Sequence, residues 1–249
     1  MKRLATIPRR PTPADLAAAI HRTVPDLVGP RMRVLFCGIN PGLYSGAVRR
    51  HFARPGNRFW KALHLGGFTD RLLSPFDVHE MRARGLGITN LCMRTTAQAE
   101  ELDDQELRRG ARALSRKVRR LRPAAVAFLG VGAYRTAFGL PRAVVGLQPE
   151  RLEGAQVWVL PNPSGRTAYY LLPALARHFR ALRRACFKPG PRRPARPVPS
   201  TPPAARQRRR RPAPPTARSA HGRAASRPPA ARPAARARAR KARSATRRA

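Results

Sequence analysis

Acidic residues are scarce in this chain of 249 residues, which has 12 Asp and Glu against 52 Lys and Arg. All 12 lie at or before Glu153, so the segment from Lys188 to Ala249 contains 20 basic side chains and no acidic one. The formal net charge of +40 is therefore divided equally between residues 1–187 and residues 188–249. These two parts differ so much in composition that we analyse them as separate segments.

Large apolar side chains are missing from the second part. Between Lys188 and Ala249 there is no Leu, Ile, Met or aromatic residue, and Val198 is the only apolar side chain larger than Ala or Pro. Such a segment buries too little surface to offset a backbone entropy cost of about 1–2 kcal/mol per residue. We therefore expect residues 188–249 to be a disordered tail, residues 31–187 to form one domain, and residues 1–30 to supply an N-terminal arm and helix.

Cysteine is also rare, and long apolar runs are absent. Cys37, Cys92 and Cys186 are odd in number, far apart and in no metal-ligand spacing, which argues against a disulfide framework or an iron–sulfur cluster. The basic N-terminus is not followed by the apolar stretch of a signal peptide, and no run is long enough to span a membrane. We expect a soluble cytoplasmic protein without a metal or cofactor. The preference for Arg over Lys is typical of GC-rich bacterial coding.

Short apolar runs alternate with helical patterns between residues 31 and 187. Strands are predicted at 34–37, 86–91, 124–129 and 156–160, because each run is apolar and bounded by turn residues. Helices are predicted at 16–21, 57–65, 103–121, 131–138 and 171–187, and residues 44–54 are expected to be irregular. Strands that alternate with helices indicate an α/β fold. We expect three layers, α/β/α, around a mostly parallel sheet of four or five strands.

Two loops at predicted strand ends place Asn beside Pro. Gly38-Ile39-Asn40-Pro41-Gly42 follows the first strand, and Asn162-Pro163-Ser164-Gly165 follows the fourth. In open α/β sheets the carboxyl ends of the strands border the ligand crevice, so both Asn side chains are candidates for chemistry. Each has a simpler alternative, because Asn beside Pro is also common in turns.

These loops are similar to signature motifs of the mismatch-specific uracil and thymine DNA glycosylases. The first motif of that family is G-I-N-P-G, and the second, in the bacterial mug-type branch, is N-P-S-G. Further segments that resemble the family lie between them in the expected order: Phe52 to Trp60, Gly87 to Asn90, Arg94 to Thr96 and Gly146 to Pro149. The resemblance covers about residues 31–186 and implies a uracil-DNA glycosylase-like fold.

The resemblance also implies roles for individual residues. Asn40 would position the water that attacks the sugar C1′ atom, since an amide is too weak a base to remove its proton, and Asn162 would lie near the departing base. The flipped base would be bound by Ile39, Ser45, Phe52 and Asn90. DNA would be contacted by Ser164, Gly165, Arg166 and Thr167. Many relatives carry an apolar wedge where this chain has Arg166, so the DNA-inserting loop departs from the bacterial pattern.

For several other residues a purely structural role is the alternative to a functional one. Phe52 alone would be interpreted as a core aromatic, and Asn90 as the end of a strand. Tyr44, His51 and Arg58 are interpreted as packing or phosphate contacts. No Lys matches a Schiff-base nucleophile of the family, although Lys61 and Lys117 remain unmatched alternatives.

The sequence therefore predicts a monofunctional DNA glycosylase that excises uracil, with thymine and etheno-cytosine as further candidates, and so initiates base-excision repair. Its partner would be double-stranded DNA with G·U or G·T mismatches, and we expect a monomer. The tail, with Arg208 to Arg211 and an Ala/Pro/Arg run, resembles basic tails of nucleoid proteins and would bind DNA without sequence preference. The alternative is a non-enzymatic, DNA-compacting nucleoid protein with a glycosylase-like domain.

Overall fold

The computed structural model of the protein describes residues 9–165 and 170–187. The predicted disordered tail, residues 188–249, lies outside these residues. Five strands form one sheet in the order β2-β1-β3-β5-β4. They are β1 (Val34–Gly38), β2 (Leu86–Asn90), β3 (Ala125–Leu129), β4 (Gly146–Leu152) and β5 (Ala155–Leu160).

Seven α-helices accompany the sheet within the described residues. They are α1 (Pro13–Ala17), α2 (Leu43–Val48), α3 (Phe59–Leu65), α4 (Val78–Ala83), α5 (Asp104–Leu121), α6 (Val131–Phe138) and α7 (Leu172–Cys186). Helix α5 begins as its sequence predicts, because Asp103 caps the N–H of Glu106 and the Glu106 carboxylate accepts the N–H of Asp103. No helix in this part of the chain has the length and apolar character required to cross a membrane.

The central strands are buried on both faces. Val34 and Phe36 of β1 belong to one core cluster with side chains from α3, α4 and α7, whereas Leu35 and Cys37 belong to a second cluster with α5 and α6. Side chains alternate between the two faces of a strand, so helices on both sides require an apolar residue at every position. The structure thus confirms the predicted three-layer, mostly parallel α/β fold.

The register brings the functional loops together. In the parallel pairs, Gly38 lies opposite Asn90, and Leu129 lies opposite Leu160. The carboxyl ends of β1, β2, β3 and β5 therefore lie on the same side of the sheet. The loops that leave these strands lie next to one another on that side.

Two elements differ from the sequence prediction. The fifth strand, β4, pairs antiparallel with β5 at the sheet edge, and its mostly exposed sequence with Pro149 has no apolar alternation. Helix α2 occupies residues that were expected to be irregular. Gly46 of this helix lies against the side chain of Thr95, where a Cβ atom would overlap it.

Two short helices account for smaller differences. Helix α1 ends at Ala17 rather than at His21, whose φ of 61° is incompatible with a right-handed helix. Helix α4 was not predicted from the sequence at all. It is a short helix whose only fully buried side chain is Met81, so it has almost no apolar periodicity.

Candidate active site

A cleft of about 540 Å³ opens at the edge of the sheet where the parallel strands end. Seven residues of the predicted site line it: Ile39, Asn40, Ser45, Phe52, Asn90, Asn162 and Ser164. Gly165 is not one of the lining residues. Arg166 and Thr167 lie outside the described residues, so the DNA-inserting loop stays a prediction.

Hydrogen bonds from its nitrogen fix the orientation of the Asn40 side-chain amide. Asn40 Nδ2 donates to the carbonyl oxygens of Pro41 and Arg94, each at 3.3 Å, and to Thr96 Oγ1 at 2.6 Å. A backbone carbonyl only accepts, so the nitrogen must be the end of the amide that faces these groups. Asn40 Oδ1 has no hydrogen-bond partner in residues 9–165 and 170–187, and no Asx turn forms here. The oxygen is left to accept a hydrogen bond from a molecule in the cleft.

Thr96 reinforces this orientation of the Asn40 amide. Its buried hydroxyl donates to the carbonyl oxygen of Gln98 at 2.5 Å, which uses its only proton. The hydroxyl oxygen must therefore accept from Asn40. The N–H of Thr96 also donates to the carbonyl oxygen of Pro41 at 3.2 Å. This bond holds the backbone of the loop that carries Asn40 against the segment after β2.

Phe52 is half-buried and stacks on Phe59, with ring centroids 4.2 Å apart and an interplanar angle of 24°. Its φ of 51° lies in the left-handed region, which costs a residue with a side chain on the order of 1–3 kcal/mol. The next residue, Ala53, donates its N–H to Ser45 Oγ at 3.2 Å. Ser45 therefore lines the cleft and also fastens the turn that presents Phe52. Phe52 is both a core contact and part of the cleft wall.

Asn90 is the last residue of β2 and is almost fully buried. Its Nδ2 lies 3.3 Å from Nδ1 of His51, and Nε2 of His51 lies 2.9 Å from the carbonyl oxygen of Pro25. Burial lowers the pKa of His51 from its usual value. His51 is thus a buried partner of Asn90, which favours the packing alternative of its sequence interpretation over the phosphate contact.

The second Asn-Pro loop is held by Arg58. Its guanidinium donates to the carbonyl oxygens of Ser164 at 2.7 Å, Pro163 at 3.4 Å and Tyr170. Asn162 Oδ1 accepts the N–H of Ser164 at 2.9 Å, so the turn expected as the alternative for Asn162 does form. Asn162 lines the cleft as well. Arg58 has a structural role in this loop that its sequence position did not indicate.

The two unmatched lysines do not line the cleft. Lys117 Nζ lies 2.5 Å from Asp26 Oδ2 and donates to Thr89 Oγ1 at 2.7 Å. Lys61 is exposed on α3. No cluster of three or more His, Cys, Asp or Glu side chains in the described residues has the arrangement of a metal site.

The fold and the cleft define an α/β protein with a polar binding site at the carboxyl edge of its sheet. Residues 25–186 match the family model of the Uracil DNA glycosylase superfamily, so the chain belongs to that superfamily. This membership supports the predicted DNA glycosylase class and DNA as the partner. A solution NMR structure of a Methanosarcina acetivorans protein, provisionally named a uracil DNA glycosylase, is 19% identical, with a TM-score of 0.44. The match covers 66% of this chain and 98% of that chain.

Sequence reasoning missed three residues that support the site. Thr96 belongs to a segment that resembles the family, but its bond to Asn40 joins residues 56 positions apart. His51 and Arg58 are polar residues whose partners are likewise distant in the sequence. A buried polar side chain requires a partner, but the sequence does not show where that partner lies.

Proposed function

We propose that the protein is a monofunctional, mismatch-specific DNA glycosylase of the mug type. It removes uracil opposite guanine, with thymine and etheno-cytosine as further candidate bases. Its product is an abasic site, the substrate of base-excision repair. The observation that carries this proposal is the orientation of Asn40, whose nitrogen is bound to the protein and whose oxygen has no partner in the described part of the chain.

The geometry of Asn40 supports hydrolysis by a positioned water. Its Oδ1 accepts a hydrogen from water and so directs a lone pair of that water toward the C1′ atom of the sugar. An amide does not accept the proton itself at neutral pH. Cleavage of the glycosidic bond therefore precedes attack by water, and the sugar passes through an oxocarbenium-like state while negative charge develops on the base.

The lining of the cleft fits an extruded pyrimidine. The ring of Phe52 supplies an aromatic surface against which the base stacks, and Asn90 supplies amide hydrogen-bonding groups for its edge. Asn162, with backbone N–H groups near Ile39 and Phe52, would stabilise the developing charge on the leaving base. Mispaired bases cost less to extrude than paired ones, which favours G·U and G·T sites.

A Schiff-base lyase step is disfavoured by the lysine positions. Lys117 is 17% exposed and is paired with Asp26, and neither it nor Lys61 lines the cleft. With neither of the two described lysines at the cleft, the enzyme would release the base and leave the DNA strand intact. We accordingly propose a monofunctional enzyme.

The basic tail would hold the enzyme on DNA during its search. Each Arg that neutralises a phosphate releases a counterion, so the contribution of residues 188–249 should decrease steeply with salt. We propose that the protein acts as a monomer in the bacterial cytoplasm, at the nucleoid. Removal of these residues should reduce the salt dependence of binding to long duplexes. An unchanged salt dependence would contradict this role.

The test is base release from a defined duplex. The full-length protein is incubated with end-labelled duplexes that carry G·U, G·T or A·U at one position, and with single-stranded uracil DNA, and each sample is divided before alkali treatment. We expect strand scission at the uracil of G·U only after alkali, and slower reaction with A·U. Scission without alkali would indicate a lyase. Tight DNA binding without abasic sites would support the nucleoid-protein alternative.

A further inference from the structure

A second, smaller cavity of about 170 Å³ lies beside the cleft, and His51 lines both. Arg49 and Arg50, which follow α2, and Arg82 of α4 contribute to its wall. We call the cavity lined by these three residues the arginine pocket. None of the three guanidinium groups is paired with a carboxylate in residues 9–165 and 170–187, although ion pairs form elsewhere on the domain. The pocket therefore gathers positive charge that the protein itself does not compensate.

Asp26 also lines the arginine pocket, but its own charge is already compensated. Lys117 Nζ lies 2.5 Å from Asp26 Oδ2, and the buried hydroxyl of Thr89 donates to Asp26 Oδ1 at 2.7 Å. Both carboxylate oxygens thus have donors. The excess of positive charge in the pocket is therefore retained, and a concave basic surface of this kind attracts anions.

Two side chains of the pocket wall carry buried donors that lack an acceptor. Trp60 is 6% exposed, and its Nε1 has no hydrogen-bond partner among the described residues. Arg50 Nε is likewise buried without a partner in this part of the chain. Indole and guanidinium nitrogens only donate, and buried donors in native proteins nearly always have an acceptor. A bound molecule that accepts hydrogen bonds accounts for both.

The guanidinium of Arg50 is held in place by the protein. Its Nη1 donates to the carbonyl oxygen of Arg49 at 2.9 Å, and its Cζ lies 5.7 Å from the centroid of the Phe76 ring, within the range of a cation–π contact. A guanidinium that is already oriented loses less conformational freedom when a ligand binds. Arg50 is thus preorganised as a donor.

We propose that the arginine pocket is a binding site for a phosphate group, separate from the site for the base. Guanidinium groups match the oxygens of phosphate and form charge-assisted hydrogen bonds with them, and Trp60 supplies a further donor. Water would satisfy the two buried donors, but only an anion also balances the three charges. The cavity is smaller than the about 300–1,000 Å³ of sites for drug-sized ligands, which suits one oxyanion. The phosphate is either a backbone group of bound DNA or free phosphate.

The experiment measures the melting temperature of the full-length protein with increasing inorganic phosphate. Chloride and acetate are compared at the same ionic strength, because a ligand of the folded state raises the melting temperature in proportion to its affinity. Phosphate should stabilise the wild-type protein more than either. Trp60→Phe and Arg50→Met each remove a buried donor and should weaken the apparent affinity for phosphate about tenfold. Each variant is compared with its own melting temperature in chloride.

The chain offers a matched control for each variant. The indole Nε1 of Trp158 is also buried without a partner in the described residues, but Trp158 does not line the arginine pocket. Arg112 is an exposed arginine of α5, away from the pocket. Trp158→Phe and Arg112→Met should therefore keep the full effect of phosphate. Equal stabilisation of the wild-type protein, Trp60→Phe and Arg50→Met, or equal stabilisation by phosphate and acetate, would overturn the inference.

Binding of a G·U duplex distinguishes the two sources of the phosphate. If the site takes a backbone phosphate of DNA, free phosphate should compete with the duplex at constant ionic strength, and Arg50→Met should weaken duplex binding more than Arg112→Met does. If it takes free phosphate, the two variants should bind the duplex equally, and the stabilisation by phosphate should persist with the duplex bound. Neither measurement depends on base release, so failure of the proposed glycosylase activity would leave the result for this site unchanged.

Discussion

The amide nitrogen of Asn40 donates a hydrogen bond of 2.6 Å to the hydroxyl of Thr96, and this contact, together with those to the carbonyl oxygens of Pro41 and Arg94, determines which end of the amide faces the cleft. The Thr96 hydroxyl donates its one hydrogen bond to the carbonyl oxygen of Gln98, so toward Asn40 it can only be an acceptor. The loop after β1 and the segment after β2 therefore orient the candidate catalytic side chain together.

Thr96→Val should reduce excision while the fold is retained. Val has the shape of Thr but accepts no hydrogen bond, so Asn40 keeps only its two longer bonds, to the carbonyl oxygens of Pro41 and Arg94. We expect the single-turnover rate on G·U DNA to fall about tenfold. Thr96→Ser should restore most of the rate. Thr69→Val is the control, because the Thr69 hydroxyl is buried and has no hydrogen-bond partner. An equal rate loss in both Val variants would contradict the role of Thr96.

Gly38→Ala should block the base site. A Cβ atom there would overlap the Asn90 oxygen and would lie 3.3 Å from Phe52 Cζ, so the pocket must distort. Misplacement of about 1 Å in an active site can cost about 10²-fold in rate, and we expect a loss of this order. Gly132→Ala on α6, where the added atom meets nothing within 4 Å, is the matched control and should keep full activity. Circular dichroism and thermal unfolding would verify that both variants fold.

Arg58→Lys should loosen the second Asn-Pro loop. A lysine ammonium cannot reproduce the planar contacts of the guanidinium with the carbonyl oxygens of Pro163, Ser164 and Tyr170. Loss of one hydrogen bond to a charged group should cost about 1.5–3 kcal/mol in the free energy of unfolding, measured by urea denaturation. Arg180→Lys, which loses one exposed contact with Leu65, should cost much less. Equal effects would show that Arg58 does not hold the loop.

Glu106 should make stability depend on acid pH. Its hydrogen bonds with Arg94, at 2.6 and 2.8 Å, lower its pKa from 4.5 to about 2. A carboxyl with a lowered pKa stabilises the fold above its unfolded pKa, and this contribution is lost as the pH falls from about 4.5 toward 2. The melting temperature of Glu106→Gln should be lower than wild type at pH 7 and should converge with it at acid pH. A constant difference at all pH values would contradict this.

The sequence predicted the α/β layers because they depend on local patterns. Continuous apolar runs such as Ala125 to Leu129 indicate strands covered on both faces, and the capping residues of α5 mark its start. Strand β4 could not be predicted in this way. It is a mostly exposed edge strand, and its pairing with β5 is set by tertiary structure rather than by alternation.

The candidate site was predictable where residues follow strand ends and matched known motifs. Asn40, Asn90 and Asn162 follow or end strands whose register brings them to one edge. The contacts that orient them were not predictable, because each depends on a residue far away in the sequence. The bonds of Asn40 with Thr96 and of Asn90 with His51 require the folded register.

Asn40→Ala tests the central claim most directly. The single-turnover rate of uracil release from G·U duplex and the binding of the same duplex are measured in parallel with the full-length protein. Loss of a water-positioning group should reduce the rate by about 10²–10⁴-fold, while DNA binding stays within a few fold of wild type. A rate within threefold of wild type would contradict the assignment of Asn40 as the group that directs water to the sugar.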